Sequence, residues 1–87
     1  MSNEKELIWI KKIIQRTGVA PVIEDDIVRK KDIKRIRRWH KNEYDRLVEG
    51  DITQITLETS AGVCITMRVN EPMESLAKRL NMVHEAN

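Results

Sequence analysis

Between Arg29 and Lys41 the chain gathers Arg29, Lys30, Lys31, Lys34, Arg35, Arg37, Arg38 and Lys41. Guanidinium and ammonium groups at this density offer one chemistry, the capture of phosphates or carboxylates, and arginine does so with paired hydrogen bonds. Other reactive side chains are dispersed. His40 and Tyr44 stand four residues apart, yet no carboxylate or nucleophile lies at a helical spacing that would complete an acid–base mechanism. Cys64 is the lone cysteine, without a neighbouring motif to activate it, and with two distant histidines it matches no zinc spacing. There is no glycine-rich phosphate loop and no paired carboxylate motif. The expectation is a protein that binds and does not catalyse, with no catalytic residue, no metal and no cofactor.

A chain of 87 residues makes one domain, residues 1–87, with a modest core. Hydrophobic residues are 40% and charged residues 34%; Phe is absent, so Ile, Leu, Val and Met must fill the interior. The net charge of +2 is mild for a dedicated nucleic-acid module, because acids elsewhere offset the basic run. The single cysteine fits a reducing cytoplasm, and the polar Met1–Glu6 start and short apolar runs give neither a signal peptide nor a membrane span.

Periodicity assigns the elements that would carry these residues. Asn3 and Glu6 form a capping-box pair before a periodic stretch over about residues 4–17, closed by Gly18. Leu7, Trp9, Ile10, Ile13 and Ile14 make its apolar stripe, with Ile8 outside it. Pro21 leads to a second helical region from residue 24 or 25, bent near Asp32 and ending at Gly50–Asp51, with Ile33, Ile36, His40, Tyr44 and Leu47 on one line. Residues 52–70 then switch to a period of two. This predicts a two-stranded antiparallel hairpin, about 52–59 and 63–70, whose loop Ser60-Ala61-Gly62 has Gly62 left-handed. The implied pairs are Thr53 with Val69, Ile55 with Met67 and Leu57 with Ile65. Asn70-Glu71-Pro72 starts a last helix to about His84, in which Glu74 is placed to pair with Lys78 and His84 can cap the final turn. The fold class is α+β, ordered α-α-β-β-α. Because an isolated hairpin leaves two open edges, the chain is predicted to form a homo-oligomer, with Ile8, Trp9 and Ile13 at the interface.

On this plan Lys34, Arg35, Arg37, Arg38, Trp39 and Lys41 form a partner-binding helix face, the competing account being an inert solvated face. Trp39 lies off the apolar line near Arg35 and Arg46. It is either an interface anchor or a ring laid along the core edge with Arg35 stacked on it.

The capped first helix, the segment Lys34-Arg35-Ile36-Arg37-Arg38-Trp39-His40 and the hairpin plus helix resemble, in general plan, the small regulators of temperate bacteriophages. Some of these are antirepressors. The resemblance implies a cytoplasmic regulator of transcription that captures another protein, such as a DNA-binding repressor, and it carries no functional residue. The alternative is a DNA- or RNA-binding regulator whose basic helix, residues 29–41, meets the phosphate backbone.

Overall fold

The run Leu-Ile-Trp-Ile-Lys-Lys-Ile-Ile is rich in β-branched and aromatic residues and contains no alanine, a composition that suits a pleated, half-buried surface. In the computed structural model, which describes residues 6–80, it forms strand β1, Leu7–Ile14. Strands β2 (Val22–Arg29), β3 (Ile33–Trp39), β4 (Ile52–Glu58) and β5 (Cys64–Val69) follow, and then helix α1 (Met73–Leu80). Short 3-10 turns occupy Lys30–Asp32 and Glu43–Asp45. The helices expected over residues 4–17 and 24–50 are thus replaced by β1, β2 and β3, and the α-α-β-β-α order is corrected to five strands and a helix. Asn3 and His84 lie outside the described residues.

The strands form one antiparallel sheet in the order β2-β1-β5-β4-β3. The β4–β5 hairpin sits at its centre, with Thr53 opposite Val69, Ile55 opposite Met67 and Leu57 opposite Ile65. Gly62 takes φ 84° and donates to the Thr59 carbonyl at 2.9 Å, the left-handed position the loop was expected to need. Strand β3 covers the β4 edge of that hairpin, whereas β1 meets the β5 edge at Lys12–Val69 only. The outer sides of β2 and β3 are open as well, as is the β1-facing side of β5 ahead of Val69.

Strands β2 and β3 are joined by Lys30–Asp32 alone. From Arg29 to Ile33 the chain can reach roughly 14 Å, whereas a flat sheet would hold its outermost strands about 19 Å apart, four strand spacings. The sheet must therefore curl. Its inner face holds Ile8, Ile10, Ile33, Ile55, Leu57 and Val69, sealed by Leu76 and Leu80 of α1. A second cluster, Ile13, Val48 and Ile52 with Trp39 against it, lies under the 40–51 loop. The pairing register places Ile52 and Trp39 opposite one another, on the face turned away from α1.

Strand β1 meets β5 at one ladder pair, Lys12 with Val69, extended by the Asn70 N–H donating to the Lys11 carbonyl at 2.8 Å. Beyond it β1 outruns β5, and Arg79 Nη2 of α1 donates to the Trp9 carbonyl at 2.7 Å. The β1–β2 ribbon therefore continues past the end of β5, its inner face still packed on the core through Ile8, Ile10 and Val28.

Candidate binding surface

Along β3 the basic residues are divided between the two faces of the sheet. A register shift between Ile33 and Arg35 places Ile33 and Ile36 together on the inner face, opposite Leu57 and Ile55. Arg38, opposite Thr53, shares that face and forms an ion pair with Glu74 of α1, so Glu74 serves Arg38 and not Lys78. Arg35, Arg37 and Trp39, opposite Thr56, Gln54 and Ile52, point to the outer face. Lys34, Arg35 and Arg37 are exposed and make no ion pair among the described residues. Lys41 donates Nζ to the Val48 carbonyl at 2.5 Å and helps fasten the 40–51 loop. Of the six residues expected to meet a partner, the structure leaves Lys34, Arg35 and Arg37 uncommitted and gives Arg38, Trp39 and Lys41 internal partners.

Trp39 is half-buried. Its Nε1 donates to Asp45 Oδ2 at 2.9 Å, and the Arg68 guanidinium lies 5.2 Å from the ring centroid. The stacked cation is Arg68 of β5, not Arg35 or Arg46. Asp45 is wholly buried and accepts also from Arg68 Nη1 at 2.6 Å and from the Asn42 N–H at 3.2 Å. Burial by itself would raise the Asp45 pKa. The hydrogen bonds from Trp39, Asn42 and Arg68, with the Arg68 charge, outweigh it and hold the carboxyl below its ordinary value. Asn42 completes the turn by accepting the Tyr44 N–H at 2.8 Å. Asp45, whose burial no sequence pattern announces, is the pin of this loop.

A second pinned carboxylate is Glu71. Burial raises its pKa, but the hydrogen bonds from Arg79 and Ser75 and the Arg79 charge bring it below the usual range. Bonding to Glu71 raises the Arg79 pKa in turn. Both perturbed carboxylates are thus tied into ion pairs that hold structure. His40 and Cys64 are exposed, and Tyr44 is exposed and distant in role from both. Among the described residues no three His, Cys, Asp or Glu side chains are placed to hold a metal.

The outer face of the β1–β2 ribbon has a different character. Leu7, Trp9, Lys11 and Ile13 alternate along β1, opposite Arg29, Ile27, Asp25 and Ile23 of β2. Trp9 is 61% exposed, Leu7 55% and Ile27 42%, and Trp9 faces Ile27 directly across the ladder. A cleft of about 380 Å³ runs beside Trp9, bounded by Lys11, Asp25, Pro72 and Arg79. Ile8 and Ile13, expected at an oligomer interface, are core residues, and only Trp9 of that trio is presented to solvent. The strand parity that separates Trp9 from Ile8 could have been read from the sequence had the period of two been assigned there.

At the opposite end, a cleft of about 580 Å³ lies between the 15–21 and 43–47 loops, with Val19, Tyr44 and Leu47 exposed on its walls and Arg16 and Arg46 at its rim. No helix among the described residues is long and apolar enough to cross a membrane. Comparison with family models, curated proteins and solved structures finds no match to the chain, so function rests on these surfaces.

Proposed function

We propose that the chain is a small non-catalytic regulatory protein that works by binding another protein, and that the outer face of the β1–β2 ribbon is its docking surface. One observation carries the reading. Trp9, Ile27 and Leu7 form an exposed apolar group on the outer face of the ribbon, next to a cleft, while Ile8 and Ile10 on its inner face are buried in the core. An exposed tryptophan ringed by aliphatic side chains is the composition of an interface hot spot, and folding alone gives no reason to leave it in water. The Lys11–Asp25 ion pair at 3.2 Å supplies the polar margin such a patch needs. A DNA-binding repressor, the partner class that the bacteriophage resemblance implies, is one occupant this surface can take.

Nucleic-acid binding is the second reading, favoured by Arg35 and Arg37, which stand exposed on the outer face beside Gln54 and Thr56. The two are separable. Affinity capture from the source cells, followed by mass spectrometry, is expected to recover one protein with the native chain and with Arg35→Ala/Arg37→Ala, and to lose it with Trp9→Ala/Ile27→Ala. Capture that survives Trp9→Ala/Ile27→Ala would overturn the assignment. So would retardation of random duplex DNA at about 50 mM salt that vanishes at about 200 mM and in the Arg35→Ala/Arg37→Ala variant, the signature of counterion release.

A further inference from the structure

The two outermost strands of the sheet carry opposite charge. Strand β2 presents Glu24, Asp25 and Asp26 in succession, and strand β3 presents Lys34, Arg35, Arg37 and Arg38 with no acid among them. Although three residues join these strands, no ladder forms between them; each pairs only on its other side, β2 with β1 and β3 with β4. A strand paired on one side leaves alternate N–H and C=O groups pointing outward, a template for another strand. Isolated edges are blunted by like charge, and each of these is guarded against a copy of itself: β2 on β2 sets acids against acids, β3 on β3 sets bases against bases. β2 on β3 is the combination that charge favours.

We propose that the protein assembles head to tail, with β2 of one copy adding to β3 of the next. Odd-numbered residues of β2 and even-numbered residues of β3 turn their N–H and C=O groups outward, so the antiparallel register that sets Asp25 opposite Arg38 can form a ladder, and it also sets Asp26 opposite Arg37. Both strands are regular over that span. The β3 irregularity falls before Arg35, and the Ile27 N–H, which Asp26 Oδ1 accepts at 2.8 Å, lies past the acidic triplet. Lys11–Asp25 and Arg38–Glu74 are exposed pairs, so Asp25 and Arg38 can exchange partners at little cost. Because the two joined surfaces differ, the contact is heterologous and propagates as a ring or a filament. This self-association uses the edges and leaves the outer-face Trp9–Ile27 pair free for a foreign partner.

Sedimentation or light scattering over a concentration series tests it. The native chain is expected to rise from 10.2 kDa to twice that mass or more, and to fall back at about 1 M salt, where screening reaches roughly 3 Å. Asp25→Lys/Asp26→Lys, with two basic edges, and Arg37→Glu/Arg38→Glu, with two acidic ones, should each stay at 10.2 kDa, while their equimolar mixture should assemble again. Trp9→Ala should assemble as the native chain does. A native chain that keeps the monomer mass throughout would overturn the proposal, as would reversed variants that assemble alone or a mixture that does not. Independently of any variant, amide exchange of the native chain should slow with concentration in β2 and β3; slowing confined to β1 or the 40–51 loop would equally refute it.

Discussion

The β3–β4–β5 meander and the β1–β2 ribbon contain similar numbers of isoleucines and valines but use them differently. In the meander, Ile33, Ile55, Leu57 and Val69 are buried beneath α1, and its outer face is tied down by Asp45, Trp39 and Arg68. The ribbon pairs Leu7–Ile14 with Val22–Arg29 over its full length but meets β5 at one ladder position, and it leaves Trp9, Ile23 and Ile27 in solvent. The ribbon still contributes Ile8 and Ile10 to the core beneath α1, so its exposed apolar groups are confined to its outer face and to β2. Such a division suits a protein that must present apolar groups without losing its fold when they are unoccupied.

Substitutions on the two sides should differ by more than a factor of two in cost, and the largest loss is expected at the buried ion pair. Asp45→Ala strands Arg68 without its carboxylate and leaves Trp39 Nε1 without its acceptor. Breaking a buried pair in this way typically costs about 3–5 kcal/mol, to be read from the urea midpoint. A loss below about 1 kcal/mol, the value of an exposed pair, would show that the loop is not pinned there. Next comes Ile55→Ala, which opens a cavity under α1 where Ile55 is fully buried, at about 2–5 kcal/mol.

Acid should act on the same half. Asp45 and Glu71 both have depressed pKa values in the folded protein, so the stability they supply is fully present above the unfolded carboxylate range. That range lies at about pH 4, and stability declines as pH falls from there through the depressed folded values. Urea midpoints for the native chain should therefore drop more steeply below about pH 4 than those of an Asp45→Asn/Glu71→Gln variant. Equal slopes would mean that other carboxylates carry the acid response.

The halves also differ in how openly the sequence declares them. The hairpin over residues 52–70 was legible to the register, because Thr53, Ile55 and Leu57 alternate with polar residues and Gly62 sits where a left-handed residue is needed. The start of α1 was equally clear from Pro72 and the Leu76, Ala77, Leu80 stripe. β1 was ambiguous because Leu7, Ile10, Ile13 and Ile14 fit a helical stripe as well as Ile8 and Ile10 fit alternation; the want of alanine and the wealth of isoleucine were the available signal. β3 misled for a more specific reason. Its irregularity between Ile33 and Arg35 brings Ile33 and Ile36, three apart, to one face, which is the spacing of a helix. β2 is exposed at most positions and has scant apolar period to read. The binding surface suffers accordingly: the cationic residues are plain in the sequence, but a helical period puts them on the wrong faces, and Asp45, isolated between loop residues, offers no pattern at all.

The smallest effect is expected on the ribbon, and it is the most telling about what the ribbon is for. Ile27→Ala removes one side of the Trp9–Ile27 cross-strand pair, and such pairs contribute about 0.2–1 kcal/mol relative to alanine. No cavity follows, because the Ile27 side chain is already open to water. The loss in the urea midpoint should thus stay several-fold below that of Ile55→Ala, though both remove the same atoms from an isoleucine in the same sheet. If Ile27→Ala instead cost as much as Ile55→Ala in dilute protein, the ribbon would have to be covered within the monomer and Trp9 could not be a docking anchor. If the two costs converged only at high protein concentration, the ribbon face would be buried between copies, and the apolar patch would belong to self-association and not to a foreign partner.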